Sequence, residues 1–412
     1  MKISLVPLAF CIPCLIATAT LASANEDTCQ VIPVAEILSS QILSSPLYDV
    51  APMAQVDGLH ATYTLQGPEG KEVVVGTQGL LVRISEIKAI AALDQINKSE
   101  EFGKALVKSG AEKIESVKDA AKDPLGTVQR LPQGASRLLG RVGTAVKTAA
   151  EGKGNPRAGI ANVLGVSRKK AELAMQLGVS PYTRDPVLQS KLDETARAMA
   201  GGSLIVDFSG MVIGGGVGTA IAVVNVNQTL QHTLIESTPQ EMMLKNQSTL
   251  APLGAGSSEI DGFLENQTFS PWQQSIITSR LEEIGQNPTP FLQLASKVST
   301  PEAALDLMQL VEIVKKHHQS SAAIVSLDNE GSLLVARDAN GGLLFPIASD
   351  WLGWNPSLEA AIETFVAIAK ADPKVKSLVL STGGHISPEA NQELAKRGIQ
   401  PVAQAIDSLS VN

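Results

Sequence analysis

The segment 301–412 constrains the fold more than any other part of the chain. Three short apolar runs (322–327, 332–336 and 343–347) are joined by Asp328-Asn329-Glu330-Gly331 and Asp338-Ala339-Asn340-Gly341-Gly342. Asp, Asn and Gly enter positive φ at low cost, and hairpin connections demand such positions, so three successive strands are expected. An amphipathic helix is predicted ahead of them at 301–317. Behind them the pattern predicts a helix (357–371), an apolar strand (377–380), a second helix (388–396) and a short strand (399–402). The two periodicities together give a mixed sheet faced by helices, an α+β arrangement.

The remainder is less regular. In 58–84, 60–65 and 72–75 flank the turn Gly67-Pro68-Glu69-Gly70, and Leu80-Leu81-Val82 follows Gly79, so a small antiparallel sheet is expected. From Ile84 the apolar spacing lengthens through Ile87, Ile90 and Leu93, which predicts a helix interrupted near Ser99 and Gly110. Further helices are expected at 167–177 and 186–200, with one at 273–284 inside a polar, loop-rich stretch 227–300. The whole reads as an N-terminal small antiparallel sheet, a long helical middle and a C-terminal mixed sheet faced by helices. The corresponding divisions are 1–24, 25–83, 84–200, 201–300 and 301–412.

Composition narrows the class. Of 412 residues 44% are hydrophobic and 18% charged, and Gly and Pro make up about one residue in seven without a fixed period. Collagen-like and disordered chains are thereby excluded. Charge is uneven: residues 1–83 carry a net −4, residues 84–170 a net +7, residues 171–225 a net −2 and residues 226–412 a net −9. A basic middle lies between acidic ends.

The first segment reads as an address. Lys2 precedes an apolar run 3–21 and then Ala22-Ser23-Ala24 ahead of Asn25-Glu26-Asp27, the pattern of a secretory signal cut after Ala24. Cys11-Ile12-Pro13-Cys14 has redox-pair spacing but lies inside that segment. Cys29 alone remains, so an internal disulfide is not expected.

Two segments raise the question of lipid. Residues 202–226 are apolar or small with Asp207 as the one charge, and Gly210, Gly214, Gly218 and Ala222 recur every four residues. That spacing lets helices approach closely, in a membrane or in a protein core, and the density of glycine favours packing within the protein itself. In 131–150 an apolar stripe (Leu138, Leu139, Val142, Ala145, Val146, Ala149) is flanked by Arg137, Arg141 and Lys147, which suits contact with an anionic surface or lipid headgroups, but with no Trp, Phe or Tyr to anchor it, packing on the protein's own core is favoured. A helix-turn-helix pattern at 171–180 is followed by Pro181 and Pro186, which a recognition helix would not accommodate; with export and an acidic pI, nucleic acid is not an expected partner.

For catalysis the inventory is thin. The five histidines (His60, His232, His317, His318, His385) form no metal-spaced pair, and no elbow, Walker or dinucleotide motif is present, so no cofactor or metal is expected. The best local candidate is the loop Ser381-Thr382-Gly383-Gly384-His385, between an apolar strand and a helix capped by Ser387. Its backbone N–H groups could hold an anion, or it could be an ordinary capped turn.

Taken together, 85–91 (Ser-Glu-Ile-Lys-Ala-Ile-Ala), 102–106 (Phe-Gly-Lys-Ala-Leu), 123–128 (Asp-Pro-Leu-Gly-Thr-Val), 177–189 with Asp185-Pro186-Val187-Leu188-Gln189, and Ile386-Ser387-Pro388-Glu389-Ala390 with Arg397-Gly398 resemble a group of uncharacterised exported bacterial proteins. Asp185 stands where that group leads one to expect Asn. The resemblance spans most of the chain and implies an envelope location, without activity or site residues. The expectation is a non-enzymatic exported protein of the periplasm or envelope that binds a partner protein or an envelope component. The alternative is a membrane-active protein that inserts 202–226, and a hydrolase using His385 is a third.

Overall fold

The computed structural model describes residues 30–99, 167–201, 226–331 and 333–405. The proposed signal, the three cysteines, the basic stretch 131–150 with Arg137, Arg141 and Lys147, and Gly210, Gly214 and Gly218 lie outside the described residues. The architecture is α+β.

The N-terminal sheet is built from β1 (Gln30–Pro33), β2 (Ser44–Ser45, after the short helix α1, Ser40–Leu43), β3 (Tyr48–Val50), β4 (Met53–Val56), β5 (Ala61–Gly67) and β6 (Gly70–Val75). All pairings are antiparallel, in the order β1-β4-β5-β3-β2, with β6 on the other edge of β5. The β5–β6 hairpin turns where Gly67 pairs with Gly70, and Gly70 has φ +118. This is the expected turn, at a φ only glycine adopts without strain.

Leu80-Leu81-Val82, read above as a strand, belongs instead to helix α2 (Thr77–Asn97). Leu80, Leu81, Ile84 and Ile87 stand at i, i+1, i+4 and i+7, and all are buried against the inner face of the sheet. A three-residue apolar run suits either element, and the helical spacing downstream decides it. The helix stops at Lys98, beside the predicted interruption.

A helix over 167–176 (α3) turns at Gly178 (φ +68) into α4 (Pro186–Ala200). Asp185 caps α4, its carboxylate accepting from Leu188 N–H at 2.8 Å and pairing with Arg83 at 2.6 Å. The cap would suit Asn equally, whereas the ion pair needs the charge. Ion pairs Arg83–Asp185 and Lys191–Asp94 and the Thr195–Asn97 bond align α2 and α4 side by side and parallel. Leu93, Ile96, Leu173, Leu177, Leu188 and Leu192 form the core of this helical layer.

Residues 227–300, expected to be loop-rich with one helix, are mostly helical. They form α5 (Gln228–Glu236), α6 (Pro239–Leu250), α7 (Ser257–Leu264), α8 (Pro271–Ile284) and α9 (Thr289–Ala295). The polar residues that resembled loops are helix starts. Asn227, Thr238 and Ser270 cap their helices, Pro239 and Pro271 occupy first turns, and Thr238 and Ser270 complete capping boxes with Glu241 and Gln273.

In the C-terminal region α10 (Pro301–Ser320) leads to β7 (Ile324–Glu330), β8 (Leu333–Asp338), β9 (Gly342–Ile347) and β10 (Trp351–Leu352). Then follow α11 (Pro356–Ala371), β11 (Ser377–Thr382), β12 (His385–Ile386), α12 (Pro388–Lys396) and β13 (Ile399–Val402). The main sheet runs β13-β11-β9-β8-β7. Its β13/β11 and β11/β9 pairs are parallel, and its β9/β8 and β8/β7 pairs antiparallel. Leu334, Ala336 and Leu344 face the helices α5–α10, whereas Val335, Leu343, Phe345 and Ile347 face α11 and α12. This is the mixed sheet the sequence predicted.

Candidate functional site

The two sheets meet at one polar joint. Where β9 ends, Ser349 and Asp350 are buried, and Asp350 is 3% exposed. Asp350 Oδ2 accepts from the Ala61 N–H and Oδ1 from the Thr77 N–H, both at 2.9 Å. The Asp350 N–H in turn donates to the Leu59 carbonyl at 2.8 Å, and that of Gly353 to Gly58 at 3.0 Å. One carboxylate therefore satisfies the start of β5 and the first turn of α2, donors that would otherwise be orphaned in the interior.

His60 completes the cluster. Its Nε2 lies 3.4 Å from Asp306 on α10 and its Nδ1 3.9 Å from Asp350. Both are ion-pair separations, longer than a hydrogen bond. Burial alone would pull the imidazole pKa down, but Asp306, Asp350 and Asp57 outweigh it and push it up to about 10. Burial pushes the Asp350 carboxyl upward, against the pull of His60 and the two backbone N–H groups. Three carboxylates around one imidazole favour its protonated form, which makes His60 a cation at the joint.

The predicted loop packs on the same joint. Ser381 and Thr382 are buried in β11, and Thr382 Oγ1 lies 2.6 Å from Ser349 Oγ. A side chain at Gly384 would collide with the backbone of Ser349 and Asp350, and one at Gly383 would press on the Gln309 amide. Some N–H groups at this loop and just beyond it have partners within the protein. That of His385 donates to the Asp350 carbonyl at 2.9 Å, that of Ser387 to Leu352 at 2.9 Å, and that of Ala390 to the Ser387 side chain at 3.1 Å. Gln404 adopts φ +50, a conformation no other non-glycine residue takes among the described residues. It donates to the Gly384 carbonyl at 2.9 Å, and its Nε2 lies 3.1 Å from His385 Nε2.

Gly383, Gly384, His385 and Gln404, with Ile37, Thr77 and Asp350, line a shallow cleft. Its free space is about that of a single water molecule. The geometry builds a clamp between the two sheets. Sequence reasoning found the 381–385 loop but missed His60, Asp306, Asp350, Thr77 and Gln404. The legible signal was an acid directly after an apolar strand, at Asp350.

A second feature lies at the end of the helical layer. Because α2 and α4 are parallel, the chain leaves both at the same end, at Ser99 and at Gly201. It returns at residue 167, on a helix whose Lys170 pairs with Asp193 of α4. Among the described residues no helix is long and apolar enough to cross a membrane, and no cluster of metal-binding side chains occurs.

Comparison with protein-family models, with curated proteins and with solved structures finds no match for this chain.

Proposed function

We propose that the protein is exported to the cell envelope and acts there by binding, without catalysis, and that the component bound is the anionic membrane surface. The observation that carries this reading is the shared exit. The C-terminal ends of the parallel pair α2/α4, which precede the basic segment 100–166 and the apolar segment 202–225 in the chain, lie at one end of the helical layer. Between 124 and 166 the sequence has six Lys/Arg and one acid, Glu151, whereas Arg168, Lys169 and Lys170 just beyond are ion-paired within the fold. Brought to one end, that charge and the neighbouring apolar residues would act on one surface, where each basic residue near anionic lipid contributes about 1 kcal/mol. The resemblance to exported proteins and the signal-like 1–24 support the location. The joint at His60 and Asp350 would then serve to make the body rigid.

Co-sedimentation of the mature chain with phosphatidylglycerol-containing vesicles tests this. Binding is expected at low salt, with release as ionic strength rises, and charge reversal at Arg137, Arg141 and Lys147 is expected to weaken it. Equal affinity for neutral vesicles, or none for either, would refute the proposal. Resistance to carbonate extraction would favour insertion of 202–226 over surface contact.

A further inference from the structure

Among the described residues the outer face of the N-terminal sheet is uncovered, and it mixes exposed apolar residues with polar and charged ones. Val31 is 55% exposed, Met53 46%, Val73 67% and Val75 41%. The register gathers them. Val31, Gln55, Thr62 and Val75 form one row across β1, β4, β5 and β6, and two residues along β5, Val73 pairs with Thr64. Residues paired across strands project to the same face, so this is one surface and not scattered side chains.

The same face ends in a row of a different kind. Asp49 on β3 and Lys71 on β6 both pair with Gln66 of β5, one from each side. Both are exposed, and neither makes an ion pair among the described residues. They lie one strand to the left and one strand to the right of β5, at the same height. A two-fold axis along β5 exchanges left and right and keeps height. It would set Asp49 over the partner copy's lysine at this position and Lys71 over the partner copy's aspartate.

We infer that this face is a homodimer interface, in which two copies pack their outer sheet faces together about an axis parallel to β5. The pattern is self-complementary in charge, as an isologous contact requires, and the exposed Val73 and Val75 add apolar area beside it. Two sheets with neutral inner faces stack about 10 Å apart in this way. The inference is independent of membrane binding.

Sedimentation velocity on the full mature chain, without vesicles, over roughly micromolar to a few hundred micromolar decides it. The wild type is expected to dimerise. Asp49→Lys and Lys71→Asp should each weaken the dimer about tenfold or more, because each places like charges in contact twice. The double variant Asp49→Lys/Lys71→Asp should recover most of that loss, and Val73→Asp should abolish the dimer while thermal melts of the monomer stay unchanged. A monomer over the whole range would overturn the inference. So would a dimer indifferent to Val73→Asp, or a double variant as weak as the singles. Loss of neutral-vesicle binding in Val73→Asp, without self-association of the wild type, would assign the face to lipid.

Discussion

The N-terminal sheet covers one of its faces and the C-terminal sheet covers both, and the strands record the difference. In β6 the residues alternate between half-buried and exposed, while all six of β9 are buried. A strand with helices on one side needs apolar residues only at every second position. A central strand between two helical layers needs them throughout. The N-terminal sheet therefore has a face left uncovered by the described helices, whereas the C-terminal sheet has none and offers only its strand ends and edges. The joint at Asp350 couples the two by hydrogen bonds to backbone, so each sheet depends on the other there.

Changes at the joint should have the largest effect. Asp350→Ala leaves the Ala61 and Thr77 N–H groups buried without an acceptor and strips His60 of one carboxylate. We expect a loss of about 3–5 kcal/mol in urea unfolding. If the loss is below about 1 kcal/mol, the two sheets are not coupled through this residue.

The closed sheet comes next. Leu344 is fully buried in β9, so Leu344→Ala should cost about 2–5 kcal/mol. Val75→Thr on the open face should stay within about 0.5 kcal/mol at monomeric concentrations. Equal effects from the two would erase the contrast between the sheets.

Gly384→Ala introduces a methyl group against rigid backbone and should cost about 1–3 kcal/mol. Gly383→Ala meets the movable Gln309 amide and should cost less. Thermal melts of both separate a tight backbone contact from a merely small residue.

The most specific effect concerns pH. The pKa of His60 is raised in the fold from 6.5 to about 10, so its contribution is complete below about pH 6.5 and is lost as pH rises toward 10. His60→Gln should flatten that decline, measured as stability against pH relative to wild type. An unchanged slope would mean that the imidazole is neutral in the folded protein.

Much of the fold was legible because its causes are local. The C-terminal strands follow from the Asp/Asn/Gly connections, and α4 and α12 begin and end where the Pro at the first turn and the periodic residues predict. Two errors have a common origin. Leu80-Leu81-Val82 and the stretch 227–300 were misread because short apolar runs and capping residues carry two meanings locally. Burial against a neighbouring element selects one. At the joint, only the 381–385 loop was legible. His60 and Asp350 are 290 positions apart in the chain, and no local pattern reports a contact closed by the packing of two sheets.

The sequence by itself determined the α+β class, the turns that need positive φ and the partition of charge, since these depend on backbone preference and composition. Tertiary structure decided which faces of the sheets are closed, that α2 and α4 run parallel and end together, and that carboxylates gather around His60 and raise its pKa. Those outcomes depend on distances between residues remote in the chain, because burial and Coulomb energy are set by what packs alongside and not by what comes next.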